Sequence, residues 1–390
     1  MRKHPERLFI DAKCTQPFPL ALPPIQSARF HRIVVALNAA QRCKEYFGNT
    51  GSGSLMLRTD ISGEAHYFNP FTIGQIAQDR GYIHVLDDVT LNIILRELDT
   101  ITDFTDYLTR KEAALQSGRL VVAAGEEEIL AHYLTELNSE EKHDVILPGD
   151  AEGVYFTEGS WASIAKHPRY VTKKKADKQS YAWDELIEQF IKHITSGTLE
   201  TGNEHPLSHH EQGVRMLAGE GRLSRRILTH SLFDLLSHAD ERHPSTRLVL
   251  SLQDPERAFQ FIVCPQWPNE AYGTYRERRK ALLAAYCHVA KVHRPELLDI
   301  VGIATEPPNV SPRSEDLVYL NARHWTEEDE RTTRELQART GILTRARERR
   351  FRGNEYPELR STGIGRTLPS LNRKQRRANK AKARGAKTKK

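Results

Sequence analysis

The last eighteen residues of this chain cannot build a core of their own. Between positions 373 and 390, ten side chains are Lys or Arg and none is Asp or Glu: Arg373, Lys374, Arg376, Arg377, Lys380, Lys382, Arg384, Lys387, Lys389 and Lys390 carry the charge. Like charges at that density repel. Almost no apolar surface accompanies them to offset the conformational freedom that folding removes. A disordered basic tail is therefore predicted. The formal net charge of +6 conceals this placement. Residues 331–390 hold 20 basic and 4 acidic side chains, whereas residues 1–330 hold 37 basic and 47 acidic. An acidic body with a cationic tail points to a polyanionic partner, RNA, the ribosome or DNA, because each Lys or Arg near a phosphate releases condensed counterions. The segment 373–390 has no aromatic residue on which a base could stack, so contact is expected to the backbone of a nucleic acid rather than to its sequence.

A chain of 390 residues exceeds one ordinary core, and two or three folding units are expected. With 38% apolar and 28% charged residues the body reads as soluble. No apolar run approaches the ~20 residues of a membrane span, so no membrane partner is expected. Pro17, Pro19, Pro23 and Pro24 would break a signal-peptide helix, and residues 1–27 read as a loop segment. Cys14, Cys43, Cys264 and Cys287 form no C-x-x-C pair, which favours a reduced, cytoplasmic compartment. The sequence leaves the oligomeric state open.

Periodicity predicts an α+β (or α/β) protein with two mixed helix/sheet units, 28–150 and 181–341, separated by a basic, turn-rich junction over 151–180 and followed by an Arg/Lys-rich linker and tail over 342–390. In the first unit, a helix is expected over 28–46. Short strands follow at 54–58, 66–68 and 82–85, then helices over 87–98, 102–116 and 126–137. Lys173-Lys174-Lys175 reads as a loop of the junction. The clearest amphipathic helix covers 182–195, where Trp183, Leu186, Ile187, Phe190, Ile191 and Ile194 share a face. Ser208-x-x-Glu211 has the form of a capping box. Helices are expected at 223–237, 272–293 and 326–340, and strands at 247–253, 258–265, 299–305 and 316–321.

Two stretches, His84-Val85-Leu86-Asp87-Asp88 through Arg96-Glu97-Leu98-Asp99-Thr100-Ile101-Thr102-Asp103-Phe104, and Ile300-Val301-Gly302-Ile303-Ala304-Thr305-Glu306-Pro307 with Ser314-Glu315-Asp316-Leu317-Val318-Tyr319-Leu320, resemble segments of a group of bacterial cytoplasmic proteins of similar length. The resemblance covers about a sixth of the chain. It implies a bacterial cytoplasmic protein and carries no activity.

Three constellations could carry chemistry. Asp60, Glu64, His66, His84, Asp87 and Asp88 could hold Mg²⁺ or Mn²⁺ for phosphodiester hydrolysis. The plainer reading is a turn, a helix cap and structural histidines. His205-x-x-x-His209-His210-Glu211 has a metal-ligand spacing, but Pro206 argues for a loop running into a helix start. Glu306, Glu315 and Asp316, with Thr305 and His324, lie at the ends of the final strands, where ligands gather in open α/β sheets. They are the catalytic candidates; the cofactor is left open, with Mg or Mn expected if the body is an enzyme. No phosphate loop, dinucleotide fingerprint or nucleophile elbow is present. Cys287 reads as core.

The leading expectation is a nucleic-acid- or ribosome-associated binding protein that uses its basic tail. The alternatives are a metal-dependent nuclease or phosphoesterase, and a protein-interaction module with an inert, solubilising tail. Whether the body is an enzyme stays open at this point.

Overall fold

A β-branched run, Ile33-Val34-Val35, decides the start of the described chain. In the computed structural model it forms strand β1 (Arg32–Val35), not the helix expected over 28–46. Branched side chains favour extended backbone over a helical turn. β1 also has a partner: it pairs in parallel with β4 (Ile83–Leu86), Ile33 opposite His84. The structure describes residues 13–15, 29–38, 55–58, 72–74, 81–117, 119–147, 149, 153–195, 207–310, 313–344, 346–348 and 354–356. Of 55–58, 72–74, 195 and 207–210 it describes the backbone. The strand expected at 66–68 and the tail residues 373–390 lie outside this set.

The fold is α+β. In the N-terminal half, strands β2 (Leu55–Arg58), β3 (Thr72–Gly74), β5 (Leu120–Ala123) and β6 (Gly153–Phe156) form a mixed sheet ordered β3-β2-β5-β6. Helix α1 (Asp88–Glu97) starts where the Asp87 carboxylate accepts from Thr90 N at 2.8 Å. Helix α2 (Ile101–Leu115) starts where the Thr100 hydroxyl accepts from Asp103 N at 3.0 Å. Each cap satisfies an amide that the first turn cannot bond. Helix α3 (Glu126–Thr135) packs Ile129, Leu130, Tyr133 and Leu134 onto Leu86, Ile94, Tyr107, Leu108 and Val121.

Residues 153–180 are mostly regular: after β6 come α4 (Ser160–Lys166), α5 (Pro168–Asp177) and a 3₁₀ turn over 178–180. The loop expected at 173–175 is therefore a helix. Pro168 occupies the first position, where its missing N–H costs nothing. The helix then parts the three lysines. Lys173 turns inward and pairs with Asp177 one turn on at 3.0 Å, Lys174 reaches Glu97 at 3.1 Å, and Lys175 is exposed.

The C-terminal half is a three-layer unit. Its sheet runs β7 (Ser245–Leu250), β8 (Arg257–Val263), β9 (Asp299–Thr305), β10 (Glu315–Asn321), antiparallel except for the parallel pair β8–β9. That pair is joined by the crossover helix α9 (Tyr272–His293). Alternate residues of the buried strand β9 face opposite layers. Val301 and Ile303 pack with Trp183, Phe190, Leu217 and Leu228 of helices α6 (Tyr181–Thr195), α7 (Leu207–Ala218) and α8 (Arg222–Ser237). Ile300 and Ala304 face Cys287, Ala290, Tyr275 and Leu283 of α9. Gly302 lies on that second face, and a Cβ there would come within 2.8 Å of Cys287 Sγ and of Leu283, so only glycine lets α9 lie so close. Helix α10 (Glu327–Thr340) opens on a full Thr326/Asp329 capping box and stops at Gly341, whose φ is 70°. The capping serine expected at 208 lies inside α7.

The two halves join through arginines at the start of α8. Arg222 donates from Nε to Asp99 at 2.8 Å and from Nη1 to Asp184 at 2.8 Å, and its amide donates to Asp103 at 2.7 Å. Arg226 donates to Asp177 at 2.7 Å and to the carbonyls of Asn354 and Glu355 at 2.7 and 3.0 Å. The segment 354–356 is thus attached to the body, and Tyr356 packs on the N-terminal core and donates to Leu134 O at 3.1 Å.

Candidate metal centre

The parallel pairing of β1 with β4 brings His31, just before β1, beside His84 in β4, and Glu112 of α2 reaches both. Lys111 and Glu112 are neighbours on α2, so the helix turns their side chains about 100° apart. Lys111 points into the core, where it donates to both carboxylate oxygens of Glu126 at 2.6 and 2.5 Å; Tyr107 donates to the same carboxylate at 2.6 Å. Glu112 faces the strands. Its Oε1 lies 2.8 Å from His84 Nε2 and 2.9 Å from His31 Nδ1. The three ligand atoms lie within 4.8 Å of one another.

The burial is graded. His84 is fully enclosed, while the His31 and Glu112 side chains keep 10% and 21% of their surface exposed, so one side of the cluster reaches solvent. Burial, reinforced by the Lys111 ammonium, lowers the His84 pKa to about 4 against a partial opposing pull from Glu112. His84 is therefore a neutral imidazole at physiological pH. Its Nδ1 is buried without a hydrogen-bond partner among the described residues. The buried Tyr82 hydroxyl is also unpartnered, and the Tyr82 ring stands edge-on to His84 at 4.9 Å. Burial, with the Glu126 and Glu112 charges, holds that phenol protonated.

The sequence-derived residues are distributed differently. Asp60, Glu64, His66 and His205 lie outside the described residues. Asp87 caps α1 and Asp88 sits in its first turn. His209 and His210 belong to the first turn of α7, and Glu211 pairs with Arg215 at i+4. His84 alone of that first set is in the cluster. His31 and Glu112 had no local signal, since each is remote in sequence from its neighbours.

Glu306 and Asp316 do converge, on an arginine. Arg279 of α9 is fully buried and lies 2.8 Å from Glu306 Oε1 and 2.5 Å from Asp316 Oδ2. Arg276 takes the other Asp316 oxygen, while Ser314 donates its amide and hydroxyl to Glu306 at 2.7 and 2.8 Å. Burial disfavours the Arg279 charge, yet Asp316 and Glu306 outweigh it and hold the guanidinium firmly protonated. Every carboxylate oxygen of this pair already has a donor. Glu315 is one residue from Asp316 in β10 and faces the opposite layer. Burial, and repulsion from Glu306, raise its pKa. Thr305 is buried and His324 exposed. A separate concavity of about 190 Å³ is lined by Glu128, His132, Tyr155, Phe156 and Ser160. Its Glu128 is committed to the amides of Gly159 and Trp161 at 3.0 Å each.

No family model matches the chain, and neither the curated proteins nor the solved structures searched contain a match to it.

Proposed function

We propose that this is a polyanion-binding protein whose C-terminal tail contacts the phosphate backbone of RNA, free or ribosomal, or of DNA. The observation that carries the reading is charge segregation: ten basic and no acidic residues between 373 and 390, on a body that is net acidic. The ion pairs of the body support it. Arg222, Arg226, Arg257, Arg279 and Arg323 each pair with a carboxylate, Asp99, Asp177, Glu220, Asp316 and Asp299 respectively. Those cations hold the fold together, while the tail has no acid of its own to pair with. If six to eight tail residues engage single-stranded RNA, log K falls with log salt at a slope of about −4 to −6. The test is fluorescence anisotropy across a salt series on the full chain and on a chain lacking 371–390. Equal affinity and slope for the two, or no binding by the full chain at low salt, removes the reading.

A metal-dependent phosphoesterase is the second reading, favoured by the His31–His84–Glu112 cluster. Its test is release of nucleotides from RNA or DNA by the metal-loaded full chain and the loss of that activity on chelation.

A further inference from the structure

We infer that His31 Nδ1, His84 Nε2 and Glu112 Oε1 bind one divalent transition-metal ion of the zinc class, leaving an open coordination position toward solvent. The inference deepens the phosphoesterase reading and is independent of the tail.

Two imidazole nitrogens converge on a single carboxylate oxygen at 2.8 and 2.9 Å. An ion with bonds of about 2.0–2.2 Å to such donors sits among ligand atoms held at separations of this order, so small side-chain movements exchange two hydrogen bonds for three metal bonds. The donor chemistry selects the ion. Mg²⁺ and Ca²⁺ take oxygen ligands and keep much of their water, whereas two imidazoles with one carboxylate suit Zn²⁺, Co²⁺ or Fe²⁺. Three protein ligands rather than four is the count of a site that retains a water.

The surroundings fit. Lys111 lies close but is held by Glu126, so its ammonium does not occupy Glu112. The buried His84 Nδ1 and Tyr82 hydroxyl add polar capacity around the cluster that no described residue uses.

The experiment uses the full chain, stripped with chelator and dialysed. It is titrated with Zn²⁺, Co²⁺ and Mg²⁺ by calorimetry, with the visible spectrum of bound Co²⁺ as a second readout. One equivalent of Zn²⁺ or Co²⁺ is expected, with Mg²⁺ far weaker. Glu112→Gln and His31→Ala alter partly exposed groups and should fold, as circular dichroism would verify. Each should weaken binding by at least the roughly 10–100-fold that loss of an outer-shell partner costs. His324→Ala, an exposed histidine elsewhere, should bind as the parent does. Absence of stoichiometric Zn²⁺ or Co²⁺ binding overturns the inference, as does binding that both cluster variants leave unchanged. One bound equivalent without nucleic-acid hydrolysis upholds the site and removes only the phosphoesterase reading.

Discussion

His143 Nε2 and Glu355 Oε2 lie 2.6 Å apart although 212 positions separate them in the chain. Burial disfavours the His143 cation, but the hydrogen bond and charge of Glu355 outweigh it and raise the His143 pKa. Burial likewise opposes the Glu355 anion, and His143 and Lys173 outweigh it and lower the Glu355 pKa. The two signs bracket a pH window. A raised His143 contributes fully below its unfolded value of about 6.5 and loses that contribution as pH rises through the folded value. A depressed Glu355 contributes fully above about 4.3 and loses it as pH falls through the folded value. The stability difference between parent and Glu355→Gln should be largest between about pH 4.3 and 6.5, at roughly 1–3 kcal/mol, and should shrink as pH rises through the raised folded value of His143. Thermal melts across pH read it; a difference that does not change with pH contradicts the pairing.

Truncation should locate where the body ends. A chain stopped after Pro357 keeps Tyr356 on the core and Glu355 on His143. One stopped after Thr344 loses both, together with the two carbonyls that Arg226 binds. The first should melt within about 1–2 °C of the full chain. The second should lose roughly 2–4 kcal/mol, since an aromatic contact and charge-assisted hydrogen bonds go together. Equal melting of the two would show that 354–356 add nothing.

Arg222→Ala should weaken the join between the halves. It leaves the Asp99 and Asp184 carboxylates without this donor, although both keep some solvent. A cost of roughly 2–4 kcal/mol in urea unfolding is expected. Arg222→Lys should recover little of it, because an ammonium cannot span both acids as the guanidinium fork does. Full recovery by lysine would mean that charge alone matters there.

Helix α6 should dock through one face. Phe190 is 2% exposed within the core formed with Trp183, Leu217 and Val301, so Phe190→Ala should cost roughly 3–5 kcal/mol. Glu188→Ala, on the exposed face, should cost under about 0.5 kcal/mol. Denaturant midpoints for the pair decide it, and similar losses would count against the packing.

Much of the C-terminal half was legible because its signals are local. The 3.6-residue period of α6, the caps of α10, and the apolar run of β9 are set by neighbours in sequence. The N-terminal half was read less well. Ile33-Val34-Val35 sits in a stretch whose apolar residues also suit a helix, and a parallel partner 51 positions away settled it as a strand. β5 was missed between two helices because four residues carry too little period. Three consecutive lysines looked solvated, and only helical geometry separates the inward Lys173 from the exposed Lys175. The metal candidate was the least visible. Its ligands come from three elements and meet only once β1, β4 and α2 are assembled. Glu306 and Asp316 were found together by sequence proximity to strand ends, but the arginine that occupies them projects from the preceding helix, 37 residues before Asp316.

Tyr356 is also a mooring. Thirty-four residues follow it, and a polypeptide cannot span more than about 3.6 Å per residue. Whatever conformation the remainder takes, Arg373 stays within about 60 Å of that point and Lys390 within about 120 Å. On the proposed reading, a polyanion caught by those charges would be leashed to a defined place on the body, beside the contact of Arg226 with Asp177. If the tail binds nucleic acid and the His31–His84–Glu112 cluster is a hydrolytic metal site, as proposed, the length of that leash would limit how far along a bound strand the cluster could work.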